Sequence, residues 1–298
     1  MTYFIFFLSM GVALYLTILF LFKNVTQYER EEGLKQHKSK AGTITMGGIL
    51  FVIPNICFLI TNIEEYFILL APVLFYIIGL IDDSTKVFNK NNMGLSAKNK
   101  LLLQIVFSIA CGFMYYATTN KEFNILYFLI VTLAFISSSN AYNLTDGCDG
   151  LLTLLSLVLG VGYLIIILSE NDMTALYYHL SIMGLLCAFL IFNLPKAYIF
   201  MGDVGSLFLG AYFCSLAIKY DIIFIYLIMN GVVIFETLSV IIQVTYFKLT
   251  HGKRVFKMSP FHHHLEANNK SEIMVDLILV LVQMLLVIVG IYVGGYLN

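Results

Sequence analysis

Five short polar clusters interrupt the long apolar runs of this chain. Of the 298 residues, 60% are hydrophobic and 12% are charged. A soluble domain is nearer half apolar and a quarter charged. An ionised side chain near the centre of a bilayer costs several kcal/mol, so such a chain must gather its charges at an interface. The expected fold class is an all-α polytopic membrane protein. No polar stretch is long enough to form a soluble domain, so residues 1–298 are expected to make one integral membrane domain.

A spanning helix needs roughly 20 mostly apolar residues. Ten segments qualify or nearly do: about 2–22, 46–62, 65–81, 99–118, 123–140, 150–168, 174–192, 204–219, 222–247 and 273–296. The first lacks the basic flank of a signal peptide and is taken as a membrane helix. The segment 204–219 is the weakest. Without it the number of crossings becomes odd and the polar clusters divide between two faces. The stretch from Asp221 to Thr250 is 30 residues, roughly 45 Å as a helix against an apolar core of about 30 Å. It must tilt, or break near Gly231 or Glu236.

Fifteen of the seventeen Lys and Arg residues fall in the loops that follow odd-numbered helices; Lys121 and Lys219 are the exceptions. Basic loops stay in the cytoplasm. This puts both termini outside and all five polar clusters on the cytoplasmic face. A transporter would place charge at mid-membrane, where the sequence offers mainly Glu236. A non-catalytic scaffold is the other competing class. The five cysteines are scattered without a CxxC pair, which speaks against a disulfide framework or zinc ribbon and for packed thiols. No nucleic-acid partner is expected.

The clusters differ in chemistry. Asp82 and Asp83 close an apolar run, and Lys86 lies one turn on. Such a pair can bind Mg²⁺ or act as a base toward a phosphate, or merely mark a loop. Asn140, Asn143, Asp146 and Asp149 recur every third residue, with Gly147 and Gly150 nearby. They suit a ribose, a base edge or a bound water; a loop of Asx turns is the alternative. Asp203 stands between glycines in Met201-Gly-Asp-Val-Gly-Ser206, just before a helix. It is a candidate Mg²⁺ ligand with a phosphate beside it, or a helix cap. His262, His263 and His264 follow Pro260. Soft metals usually draw ligands from several elements, so these imidazoles are expected to contact phosphate or order the site. Lys40, with Gly42, Thr43, Thr45, Gly47 and Gly48, can cradle an anion without being a P-loop; close helix packing serves the glycines equally well. Together the clusters suggest phosphoryl transfer from a soluble diphosphate donor to a lipid phosphate.

Five of these motifs, in order, resemble the polyprenyl-phosphate N-acetylhexosamine-1-phosphate transferases. They are Gly42-Thr-Ile-Thr-Met-Gly-Gly48, Asp82-Asp83 with Lys86 and Gly94-Leu-Ser-Ala-Lys98, Asn140 to Leu151, Phe200 to Ser206, and Pro260 to Glu266. Departures are mild: Ile44 stands for a usual Pro, Cys148 for a usual Leu, and Ser259 and Phe261 are variants. The unbroken triple His favours a muramoyl over a glucosaminyl substrate. The resemblance implies transfer of phospho-MurNAc-pentapeptide from UDP-MurNAc-pentapeptide to undecaprenyl phosphate, with release of UMP. UDP-GlcNAc is the alternative donor. It further implies Mg²⁺ on Asp203, Asp82 and Asp83 as the catalytic pair, and Lys98 and Lys86 steadying phosphates. His262 and His263 join the catalytic set. The implied substrate pocket comprises Lys40, Asn140, Asn143, Asp146, Gly147, Cys148, Asp149, Asn193, Phe200, Gln243 and His264. A homodimer in the bacterial inner (plasma) membrane is implied as well. Direct attack by the lipid phosphate and a covalent phospho-aspartate are both open.

Overall fold

The computed structural model describes residues 1–22, 25–26, 42–61, 65–89, 93–119 and 121–296. Lys40 lies outside the described residues. Among them the secondary structure is helical, apart from isolated bridges that join Ile44 to Thr26 and to Ile199. This follows from the composition, because a helix satisfies its backbone groups internally where no water is available.

The helices are α1 (Thr2–Leu21), α2 (Ile53–Thr61), α3 (Tyr66–Asn89), α4 (Ala97–Thr119), α5 (Ile125–Thr145) and α6 (Leu151–Ser169). There follow α7 (Met173–Asn193), α8 (Gly202–Lys219), α9 (Ile223–Met229), α10 (Gly231–Leu249), α11 (Phe261–Glu266) and α12 (Glu272–Val293). A 3-10 segment, Gly47–Val52, leads into α2. Eight helices are long and apolar enough to cross a membrane: α1, α3, α4, α5, α6, α7, α10 and α12. The stretch Gly47–Thr61 is apolar but shorter.

The expected span over 204–219 is real as α8, yet it is not among those eight. It is the centre of the bundle instead. Every residue from Val204 to Ile218 is buried, packed by α3, α5 and the 3-10 segment. A helix enclosed by protein rather than lipid tolerates the Gly and Ser residues that α8 carries, and their small size lets neighbouring backbones approach. Gly79 of α3 shows how closely: a Cβ there would run into the Asp203 carbonyl and meet Val204 Cα at 2.5 Å.

The long segment after Asp221 breaks, as one of the two expectations had it, at Asn230 between α9 and α10. The break exposes backbone groups that would be costly to bury unpaired. Gln283 of α12 donates to the Met229 carbonyl at 2.6 Å, and Tyr142 donates to the Asn230 side chain at 3.3 Å. Glu236 lies six residues past the break and is fully buried. Its partner is His262 of α11, described below.

The motif-bearing ends of α3, α5, α8 and α10 meet at one pole, where Asp83 accepts from Val204, Asn143 donates to Asp203 and Glu236 accepts from His262. The other pole is held by ion pairs. Lys219 reaches Glu65 at 2.5 Å and Asp172 at 2.6 Å, and Lys121 lies 3.6 Å from Asp221. Both basic residues of the sparsely charged side are thus spent on joining loops. Asp172 also caps α7 through Ala175 N–H at 2.9 Å. Burial pushes its carboxyl up, but Lys219 and the cap outweigh burial and hold it below its ordinary value.

The α3–α8 contact yields a prediction. Gly79→Ala should cost about 1–3 kcal/mol of stability by overpacking, read as a lower thermal midpoint of the detergent-solubilised protein. An unchanged midpoint would mean that the two helices have room to part.

Candidate active site

The motif pole holds two polar clusters, joined by the last turn of α5. The first draws on α3, α4, α5 and α8. Helix α3 does not end at Asp82 as the hydropathy suggests; it continues to Asn89. The extension is tolerated because i,i+3 and i,i+4 pairing neutralises it. Lys86 Nζ lies 2.6 Å from Asp82 and 3.2 Å from Asp83. The same ammonium reaches Asp203 Oδ2 at 2.8 Å.

Asp203 enters at the N-terminal turn of α8, behind Gly202, whose φ of +76° suits glycine. Asp83 fixes this corner by accepting from Val204 N–H at 3.0 Å. Asp82 accepts from Leu95 N–H at 2.8 Å, which pulls the Gly94–Leu95 loop over the pair. Asn143 of α5 donates to Asp203 Oδ1 at 2.6 Å and to Ser206 Oγ at 3.1 Å. Acidic oxygens of Asp82, Asp83 and Asp203 all lie within 4.8 Å of one another. Such a trio is tenable because cations compensate it.

The second compensating cation is Lys100, whose Nζ is 2.7 Å from Asp203 Oδ2. Sequence reasoning counted Lys100 only as one basic residue of its loop and gave the role to Lys98. Lys98 is exposed, whereas Lys100 is half-buried on the next part of the same turn. The available signal was helical phase: the two residues differ by about 200° around α4, so one of them at most can face Asp203.

The second cluster lies where the turn after α5 meets α11. Buried Cys148 and His262, with half-buried His263, bring three potential ligand atoms within 4.8 Å of one another. His262 is anchored by Glu236, which accepts from its backbone N–H and from its Nδ1, each at 3.1 Å. His263 Nδ1 donates to Glu266 at 2.6 Å. Gly147 is packed directly against His262 Nε2, with no room for a side chain between. His264 is turned elsewhere: it stacks on Phe261 with 5.5 Å between ring centres and accepts from Lys257 N–H at 3.1 Å.

The remaining expected site residues shape loops around these clusters. Asp149 accepts from Ala197 N–H at 2.9 Å. Asn193 accepts from Gly150 N–H at 3.2 Å and from Thr153 at 2.9 Å, and donates to Ile199 at 3.0 Å. Phe200 takes part through its backbone, donating to Ile44 at 2.7 Å and accepting from Gly47 at 2.8 Å. Gln243 of α10 clamps the basic loop by accepting from Val255 and Phe256 N–H and donating to the Phe256 carbonyl. Asn140 lies nearer mid-helix and donates to Gln104 at 3.1 Å. Asp146 caps the end of α5.

The first cluster combines three carboxylates and two ammoniums. It offers hard oxygen donors for a cation and lysines for phosphate oxygens.

Comparison with known proteins gives a consistent result. Residues 66–221 match the family described as glycosyl transferase family 4. The curated phospho-N-acetylmuramoyl-pentapeptide-transferase of Shouchella clausii is 40% identical, over 90% of this chain and 89% of its own length. Proteins of the same name from Streptococcus sanguinis and Clostridium beijerinckii are 39% and 37% identical, over 81% and 88% of this chain and 80% and 85% of theirs.

Position on α4 makes the lysines a direct test. Lys100→Met should lower turnover by on the order of 10²-fold, as loss of one preorganised charge partner does elsewhere. Lys98→Met should stay within about threefold, since an exposed lysine contributes little. Equal losses in the two variants would mean that α4 rotates when substrate binds.

Proposed function

Because this chain belongs to glycosyl transferase family 4 and to the phospho-N-acetylmuramoyl-pentapeptide-transferase family, we propose that its carboxylate–lysine cluster joins a sugar phosphate to a lipid phosphate. The chain is a phosphoglycosyl transferase of peptidoglycan synthesis and a multi-pass membrane protein. The donor is UDP-MurNAc-pentapeptide and the acceptor undecaprenyl phosphate. The products are UMP and the undecaprenyl diphosphate sugar, lipid I. The observation that carries the reading is the convergence of Asp82, Asp83 and Asp203 on Lys86 and Lys100.

The chain crosses the bacterial inner membrane ten times, with both termini outside and this pole in the cytoplasm. The eight long apolar helices, enclosed α8 and the short span Gly47–Thr61 support that count. The concentration of Lys and Arg in the loops that follow odd-numbered spans of the sequence supports the orientation. Association as a homodimer belongs to the same proposal.

Three carboxylates presented by two helices fit Mg²⁺, a hard cation that takes oxygen ligands and retains water. Asp203, flanked by Asp82 and Asp83, would hold it. When bound, Mg²⁺ supplies charge neutralisation to the diphosphate. Lys86 and Lys100 exchange part of their carboxylate contacts for phosphate oxygens. This offsets the repulsion between two anionic substrates. One of Asp82 and Asp83 accepts the proton of the lipid phosphate. An oxygen of that phosphate then attacks the donor β-phosphorus, a new P–O bond forms, and the bond to UMP breaks. The turn at Gly147 and Cys148 and the α11 imidazoles border the nucleoside side. The lipid lies against α10, whose Leu238, Ile241 and Val244 face outward.

The test is transfer of labelled sugar phosphate from UDP-MurNAc-pentapeptide to undecaprenyl phosphate by purified protein, with and without Mg²⁺. Metal-dependent lipid product is expected, falling at least on the order of 10²-fold in Asp203→Asn. Product from UDP-GlcNAc alone would reassign the donor. Full activity in Asp203→Asn would remove the carboxylate cluster from the mechanism. Exchange of labelled UMP into the donor without lipid would replace direct attack by a phospho-aspartate.

A further inference from the structure

We propose that Gln104 is a positioning residue of the transferase: its side-chain amide fixes the rotation of α4 that aims Lys100 at Asp203. The proposal rests on the phosphoglycosyl transferase reading given above. Lys100 meets Asp203 Oδ2 at 2.7 Å, and it does so only while α4 keeps one phase. Much of α4 faces away from the bundle, with Leu102, Val106 and Phe113 more than half exposed. Its buried side is a narrow stripe that begins at Gln104 and runs through Ser108 and Cys111 to Tyr115. Gln104 stands four residues after Lys100, so the two share a helix face.

The Gln104 amide is 1% exposed and engaged at both ends. Its Nε2 donates to Ser139 Oγ at 3.2 Å, and its Oε1 accepts from Asn140 Nδ2 at 3.1 Å. Both partners are themselves held, because Ser139 Oγ and Asn140 Nδ2 donate to the Ile136 carbonyl at 3.1 Å and 2.8 Å. This turn of α5 is seated on α8. Ser138 Oγ donates to the Gly210 carbonyl at 2.7 Å, and a Cβ on Gly210 would meet Ser139 Cα at 2.7 Å. Gly210 follows Asp203 by seven residues, roughly two turns of the same buried helix. The amide therefore registers α4 against the helix that carries Asp203.

One turn nearer the site the same two helices close on Asp203 itself. Lys100 of α4 takes Oδ2 and Asn143 of α5 takes Oδ1 at 2.6 Å. The Gln104 clamp and the Asp203 grip are thus successive rungs between α4 and α5. Interhelical hydrogen bonds of this kind persist in an apolar setting because the alternative is an unpaired polar group. A small rotation of α4 that leaves its packing intact still swings an ammonium at the end of a four-carbon stem away from its target. Gln104 touches neither carboxylate nor substrate, so its effect on chemistry passes through Lys100.

The experiment uses full-length protein in detergent and transfer from UDP-MurNAc-pentapeptide to undecaprenyl phosphate. Gln104→Met removes the amide while keeping length and helix propensity. Turnover should fall on the order of tenfold to 10²-fold, as misplacement of a reacting group does, with KM for both substrates within about threefold. Added to Lys100→Met, it should cost nothing further, because the two residues act as one unit. Losses that multiply in the double variant would make Gln104 an ordinary packing residue and overturn the proposal. A second readout needs no turnover: reductive methylation with labelled formaldehyde, scored by mass spectrometry as Lys100 relative to Lys98. Lys100 should be protected in the unsubstituted protein and approach Lys98 in Gln104→Met. Ser139→Ala removes one of the two clamp contacts and should shift both readouts the same way by less, which keeps the test open if Gln104→Met does not fold. Unchanged turnover and labelling in folded Gln104→Met would overturn the proposal. No lipid product from the unsubstituted protein would instead remove the transferase reading, while the labelling ratio still decides whether Gln104 holds Lys100.

Discussion

The close contact between α3 and α8 is the constraint on which the rest depends. Gly79 lets α3 touch the first turn of α8, and this brings the two carboxylates of α3 beside the one carboxylate of α8. Three acids this close cannot remain ionised without compensation, so the contact imposes demands outward. It calls Lys86 back along its own helix, Lys100 across from α4 and Asn143 across from α5. The helices that supply them are arranged around α8 accordingly. Asp83 returns the constraint to the backbone through Val204 N–H. Packing and catalysis are therefore one arrangement here, because the residue that lets the helices meet also sets the distance between acids.

The same economy governs the broken helix. Ending α9 at Met229 leaves a carbonyl in an apolar setting, and Gln283 answers it from α12. The new direction of α10 then carries Glu236 to the backbone N–H and ring of His262. A straight helix through Asn230 would keep Glu236 on a different line and leave α11 without its buried anchor. The break is thus tied to the second polar cluster as closely as the α3–α8 contact is tied to the first.

Much of this was legible in the sequence, and what was not has physical causes. Hydropathy located the apolar spans because it measures contact with lipid. It ranked α8 lowest for the same reason: α8 touches protein on all sides and needs small residues more than greasy ones. Charge ended the α3 span too early at Asp82, since hydropathy does not register that Lys86, one turn on, neutralises the pair. Residue type pointed to the acids, but telling Lys100 from Lys98 requires the phase of α4 relative to Asp203, which is a tertiary quantity. Cys148 is a buried thiol, as expected of the scattered cysteines, though nothing in its neighbours along the chain shows that α11 returns to meet it.

The last turn of α5 explains how one face can keep two chemistries apart. Asn143 faces the carboxylates, while Gly147, four residues on, backs onto His262. Asn143 sits in the last turn of α5, which ends at Thr145, and Gly147 in the turn just beyond it, so the clusters are neighbours without sharing ligands. Oxygen donors collect where α3 and α8 touch, and nitrogen and sulfur donors collect where α11 docks under α10. A hard cation that takes oxygen ligands suits the first. In the second, the ring Nδ1 atoms of His262 and His263 are held by buried glutamates. Selectivity at this pole then follows from which helix ends supply the donors, and α5 is the wall between them.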